Sequence, residues 1–245
     1  RIQNNILVFT GGESPQEKQT TVSREKIYPY GHLLEFDTRK RETAFMAQDY
    51  YLGNTPLIVK SLGERKIRIF LKGLRGTPGN TLVFGSANRN YSGFTVTDCE
   101  NIRFQNITVY HAGGMGIVAQ RTRNVTVDSC KVTPSVGRIL STTADATHFV
   151  NCTGKIELSH CLFENQMDDA TNIHGIYVQI ARQLSPDEII VQLKHPQQLG
   201  FDFLKPGTRV ELVKGNSLIT KGQAQVTEAE RLNKDYTRIK LDRPL

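Results

Sequence analysis

Three stretches of the chain, NIRFQNITV (101–109), NVTVDSCKV (124–132) and KIELSHCLF (155–163), superpose residue on residue. Their apolar positions are Ile102, Phe104, Ile107, Val109; then Val125, Val127, Cys130, Val132; then Ile156, Leu158, Cys161, Phe163. Within each, a period of two holds for two residues, slips by one and resumes, as a strand, a bend and a second strand would produce. The intervals are 23 and 31 residues. A segment of this size cannot bury its own apolar face, but copies stacked on one another can. The reading is all-β, with the coils of a parallel β-helix over residues 79–182.

Residues 1–78 form a β-rich segment leading into the coils, with strand-like runs such as NNILVF and RKIRIFL. From 183 to 245 the pattern changes: DEIIVQL, TRVELV and TRIKL alternate with the turn signals KPGT and KGNS. This predicts a small antiparallel β-barrel or sandwich, read as an incomplete β-barrel-like domain. Cys130 and Cys161 share a rung and read as small core hydrophobes, whereas Cys99 and Cys152 have no such partner. Four N-x-S/T triplets begin at Asn90, Asn106, Asn124 and Asn151. Asn at coil corners with Thr on outward positions produces such triplets without glycosylation.

The chain has 245 residues, 38% hydrophobic and 22% charged, with a formal charge of +7. The densest basic cluster, DTRKRE, is interrupted by acids, so a solvated face is expected and no nucleic acid partner. No apolar run reaches the ~20 residues of a membrane span. No phosphate loop, dinucleotide turn or zinc spacing occurs, and the expectation is no cofactor and no metal. A homo-oligomer is compatible with everything above. The first residue is not Met and the last follows a strand-like run, so a piece of a longer polypeptide is expected, and localisation is not readable.

The stretch FENQMDDATNIHG (163–175) carries two adjacent carboxylates, Asp168 and Asp169, amid strand-like sequence. Counting eleven residues back from Val125, Ile156 and Gln179 gives Gly114, Asp145 and Asp168, which sets two acids on neighbouring rungs. A second echo, DATH at 145 against DATNIH at 169, repeats at 24 residues. A one-residue slip reverses the side chain, so counting leaves open which of Asp168 and Asp169 projects with Asp145. The longer interval places its extra residues around TPSVGRIL (133–140), read as a rim beside an open floor at AGGMG (112–116). An unpaired buried carboxylate is prohibitive, and calcium asks for more ligands than this pattern offers. Glycoside hydrolysis needs one carboxylic acid held protonated and one carboxylate held ionised across a sugar. Rungs ~4.8 Å apart suit either the retaining or, on a diagonal, the inverting spacing.

The blocks YPYGHLLEFDTRKRETAFMAQDYY, GTPGNTLVFGS, YHAGGMGIVAQR, TADATHF, CLFENQMDDATNIHGIY and HPQQLGFDFLKPGTRVEL occur in order between about residues 28 and 215. Together they resemble the family 110 glycoside hydrolases, bacterial α-1,3-galactosidases that remove terminal galactose from blood group B and related glycans. The resemblance implies a right-handed parallel β-helix with β-barrel insertions, metal-independent inverting hydrolysis, a galactose-terminated oligosaccharide or glycoconjugate as partner, and a periplasmic or secreted bacterial setting. It implies Asp145 as general acid and one or both of Asp168 and Asp169 as water activators. His111, Gln120, Arg121, Gln166, Asn172 and His174 lie near the same edge in sequence and could bind galactose hydroxyls, Asn172 and His174 best because they share the Asp168 coil. The alternatives are a family 28 type polygalacturonase, echoed by DDATNIHG and by RIK at 238–240, and a non-catalytic glycan-binding β-helix.

Overall fold

Ile102, Val125 and Ile156 lie side by side on neighbouring parallel strands, as do Phe104, Val127 and Leu158. Val109, Val132 and Phe163 form a third such row. The apolar alternation therefore sets the register, because slipping any strand by one residue would turn its whole buried set outward. In this computed structural model, residues 2–3, 6–8, 20–22, 30–52, 57–63, 66–71, 73–86 and 89–244 are described. The chain divides into two units, Arg1–His174 and Gly175–Leu245.

In the first unit three parallel sheets take one strand each from successive passes of the chain. One holds Phe94–Thr97, Ile117–Gln120, Thr147–Val150 and Thr171–His174; the second Glu100–Gln105, Arg123–Asp128 and Thr153–Ser159; the third Thr108–Val109, Lys131–Val132 and Leu162–Phe163. Ile117, Ala119, Val125, Val127, Cys130 and Phe149 meet between them in one apolar cluster with Phe104. Each large aliphatic side chain so buried contributes about 1.5–3 kcal/mol.

The corners recur as faithfully as the strands. Asn106, Ser129 and His160 occupy one corner with φ of 55°, 55° and 54°; Asp98, Arg121 and Asn151 occupy another with 54°, 46° and 54°. Short polar side chains tolerate this left-handed backbone better than most. Three of the four N-x-S/T triplets thus begin at such corners, since Asn124 also has φ 56°. Cys99 and Cys152 do have an equivalent, contrary to expectation: Thr122 lies between them in the same column, and each of the three points Sγ or Oγ1 to the carbonyl two residues earlier. All four cysteines are free.

Two counts from the sequence need correction. Thr171–His174 pairs with Thr147–Val150 at an interval of 24 residues, and Ala146 N donates to Asp169 O at 2.9 Å. Asp169, not Asp168, is therefore the backbone neighbour of Asp145. Gln179 is no counterpart of Ile156 either: Gln179–Ser185 pairs antiparallel with Glu188–Gln192, so the parallel strands stop at His174 rather than at 182. At the 24-residue interval the positions that would continue the Ile156, Leu158 and Phe163 rows are Ile180, Arg182 and Asp187, and neither Arg182 nor Asp187 can fill that core.

The remainder of the first unit is antiparallel. Tyr30–Asp37 pairs with Glu42–Thr43, Tyr50–Tyr51 and Thr81–Ser86 around Leu33, Leu52 and Leu82. Its Leu34 and Phe36 pack on Met167, with Ile139 and Leu140 against them, which binds this sheet to the loop bearing Asp168. A further sheet runs Ile2–Gln3, Ile6–Val8, Lys66–Phe70, Leu57–Ser61, Thr20–Val22; much of the NNILVF run lies outside the described residues.

The second unit is one curled antiparallel sheet in the order Gln179–Ser185, Glu188–Gln192, Tyr236–Leu241, Thr220–Arg231, Arg209–Val213. Ile189, Val191, Val226, Ile239 and Leu241 form its core. The long Thr220–Arg231 strand serves two partners: its first half pairs with Arg209–Val213 and its second with Tyr236–Leu241, across a register shift near Val226. That shift adds twist and lets the sheet curl. Among the described residues no helix is long and apolar enough to cross a membrane.

Candidate active site

Asp145, Asp168 and Asp169 come together at the entry edge of the first parallel sheet, just before Thr147–Val150 and Thr171–His174. One carboxylate oxygen from each lies within 4.8 Å of the other two. Their surroundings differ: Asp145 is buried, Asp168 half-buried and Asp169 exposed. Three carboxylates this close need polar or cationic partners around them.

The compensation is specific to each. His148 Nδ1 lies 2.6 Å from Asp145 Oδ2, three residues along on the strand that Asp145 introduces. Arg89 pairs with Asp168 at 3.0 Å. Asn172 donates its side-chain amide to Asp169 Oδ2 at 3.2 Å. On the outward face of the strand, His148 sits in register with Asn172, and its Nε2 meets His174 Nε2 at 3.0 Å. The Arg89 guanidinium answers part of the carboxylates' charge.

The glycines at 112–116 are not an open floor. A Cβ on Gly114 would stand 2.5 Å from the Arg89 carbonyl oxygen, and one on Gly113 3.3 Å from Tyr91. A Cβ on Gly116 would strike the Ala146 carbonyl. These positions lack side chains so that neighbouring backbone can close in, and one consequence is that Arg89 reaches Asp168.

Tyr51 belongs to this neighbourhood from the antiparallel sheet. Although its ring is largely exposed, partial desolvation, then the charges of Asp49 and Asp168, push its phenol above the ordinary value of 10.0. His32, buried, stacks on it with ring centroids 5.8 Å apart.

The residues expected to bind substrate fare unequally. Asn172 and His174 stand beside the acids, bonded as described. Gln166 is adjacent in the chain to the Met167–Asp169 turn, and its Oε1 is buried with no hydrogen-bond partner in the structure. His111 is held elsewhere: its ring nitrogens meet Leu140 O at 3.1 Å and Ser135 Oγ at 2.8 Å, pinning the 133–140 loop. That loop, with His111, Arg41 and Thr143, borders an open pocket of about 900 Å³ that none of the three acids lines. Arg121 is a corner residue whose Nε donates to Asp98 at 2.7 Å. Arg238 of the RIK triplet lies in the second unit, paired with Glu230 at 2.6 Å.

Sequence reasoning missed Arg89, Tyr51 and His148. Nothing periodic marks the first two. His148 had a signal: the DATH and DATNIH echoes each set a histidine shortly after the in-register aspartate.

Residues 188–245 match the model of the GLAA-B beta-barrel domain II. The chain is 39% identical over 217 residues to the α-1,3-galactosidase A of Shewanella woodyi, covering 86% of this chain and 33% of that protein. It is 35% identical over 168 residues to an α-1,3-galactosidase B of Phocaeicola vulgatus, covering 67% and 28%. With the α-1,3-galactosidase A of Akkermansia muciniphila it shares 31% over 191 residues, covering 76% and 32%. The chain thus spans about a third of the length of these relatives.

Proposed function

Because the chain belongs to the α-1,3-galactosidase family, we propose that it serves an exo-acting glycoside hydrolase that removes terminal α-1,3-linked galactose, from blood group B type or linear glycans. The three parallel sheets are read as the faces of a right-handed parallel β-helix, and the second unit as part of a β-barrel. The observation that carries the catalytic reading is the meeting of Asp145, Asp168 and Asp169 within 4.8 Å.

Asp145 is the general acid. It is the most buried of the three and the one hydrogen-bonded to an imidazole, an environment that suits a carboxyl that must hold and release a proton. Its proton goes to the departing glycosidic oxygen. Asp168 and Asp169 hold the attacking water. A water accepted by two carboxylate oxygens at ~2.8 Å each spans about 4.6 Å between them, which the observed spacing accommodates. Asp169 takes the water's proton, since Asp168 is already engaged by Arg89. The nearest-oxygen spacing lies closer to the ~5 Å of retaining pairs than to the ~6.5–9.5 Å of inverting ones. The inverting course therefore rests on the family resemblance and on the bridged water, not on that distance.

The deciding measurement is to incubate the full-length protein with α-1,3-galactobiose and with the fucosylated B trisaccharide while following the anomer by NMR. β-Galactose as first product is expected. Release of α-galactose would overturn inversion and keep the substrate; cleavage of polygalacturonate with neither galactoside touched would overturn the substrate too. A non-catalytic glycan-binding role would leave binding intact in Asp145→Asn and show no turnover in any variant.

A further inference from the structure

We propose that His174 and His148 form a proton relay that reloads Asp145 between turnovers; this rests on the reading of Asp145 as the general acid. Two successive contacts join the three groups: His174 Nε2 to His148 Nε2 at 3.0 Å, and His148 Nδ1 to Asp145 Oδ2 at 2.6 Å. The rings meet edge to face, centroids 4.9 Å apart at 81°. Asp145 is only 2% exposed, so solvent reaches its carboxyl poorly, whereas His174 is only half-buried.

A hydrogen bond between two Nε2 atoms needs one donor and one acceptor, so a single proton occupies it. Two arrangements follow. With Asp145 ionised, His148 carries its proton on Nδ1 and accepts at Nε2 from an imidazolium at His174. When the proton on His174 Nε2 passes to His148 Nε2, the proton on His148 Nδ1 passes to Asp145 Oδ2. One positive and one negative charge vanish and both imidazoles end neutral; once Asp145 has given up its proton, His148 returns to the Nδ1–H tautomer, which frees His174 Nε2 to take the next proton from water. The proton removed from the attacking water leaves separately, from Asp169. The charged groups gathered on this edge are Asp145, Asp168, Asp169 and Arg89, while Val118 and the amide of Asn172 flank His148 in register.

The test compares full-length wild type, His174→Gln, His148→Asn and Asp145→Asn on two substrates: α-1,3-galactobiose, whose leaving group needs a proton, and 2,4-dinitrophenyl α-galactoside, whose leaving group does not. In His148→Asn the amide nitrogen stands where Nδ1 stood, which keeps Asp145 oriented while cutting the relay. Both histidine variants are expected to lose about 10-fold or more in kcat on galactobiose with KM unchanged, and to stay within about twofold on the dinitrophenyl substrate. Their alkaline limb on galactobiose moves to lower pH, and the curved proton inventory of the wild type becomes linear. Galactobiose turnover and pH profile unchanged in either variant, or an equal loss on both substrates, would overturn the relay. If Asp145→Asn loses as much on the dinitrophenyl substrate as on galactobiose, the general-acid reading itself fails, a result separate from failure of the relay alone.

Discussion

Arg89 pairs with Asp168 at 3.0 Å where three carboxylates converge, and both side chains are about three-quarters removed from solvent, with 25% and 28% exposed. Removing the cation leaves three acids with no guanidinium among them. Their mutual repulsion then pushes the carboxylates out of their observed placement. Arg89→Met is expected to lower kcat about 10- to 100-fold, the range of a charge that organises reacting groups. An unchanged kcat would mean that Arg89 is only a surface pair.

Gly114 gives the same arginine its place. An added methyl would stand 2.5 Å from the Arg89 carbonyl oxygen, and backbone cannot yield there as a flexible side chain would. Gly114→Ala is expected to cost about 1–3 kcal/mol in denaturant unfolding, as overpacked sites do. Its kcat should fall in the direction of Arg89→Met, because the guanidinium is carried away from Asp168. Loss of stability with full activity would uncouple the glycine from the site.

These two positions also mark the border of what the sequence discloses. Rows such as Ile102, Val125 and Ile156 were legible because burial demands the same residue type at the same rung, which leaves a period in the chain. The acids were legible through the DATH echo, and that echo, not the 23-residue count, carried the true register. A glycine's absent side chain says nothing of which backbone approaches it, so residues 112–116 read as open. Arg89 contributes one charge from a passage with no periodic partner, and only the fold brings it to Asp168. Gln179 was miscounted because the last interval is 24 rather than 23, and because counting runs on past His174, where the parallel strands end.

Away from the site, Asp128 provides a pH signature of the parallel sheets themselves. It accepts from His160 Nδ1 and Ser159 Oγ, both at 3.0 Å, from Ser129, and pairs with Arg103. The His160 bond first, then that of Ser159, hold its carboxyl down from 3.8 to about 2. A pKa lower in the folded than in the unfolded chain gives stability that is complete above about pH 4 and is lost as pH falls toward 2. Thermal melts of wild type and Asp128→Asn should therefore differ most at neutral pH, with wild type higher, and converge between pH 4 and 2. A gap that persists unchanged at pH 2 would assign the difference to packing instead.

Asp168 and Asp169 can be separated by a nucleophile that needs no base. Asp169 is the backbone neighbour of Asp145 and is exposed, with Asn172 on one oxygen; Asp168 faces Arg89. If Asp169 takes the proton from water, Asp169→Ala should lose about 10²- to 10⁴-fold in kcat, the usual worth of a general base. Azide, already anionic and small enough for the space of a missing carboxylate, should then restore turnover of 2,4-dinitrophenyl α-galactoside. Attack from the water's side yields β-galactosyl azide, readable by NMR. Asp168→Ala should be rescued less, because it also strands Arg89 beside the incoming anion and alters how that anion is held. Stronger rescue in Asp168→Ala would exchange the two roles, and α-galactosyl azide from either variant would place the nucleophile on the opposite face and end the inverting reading.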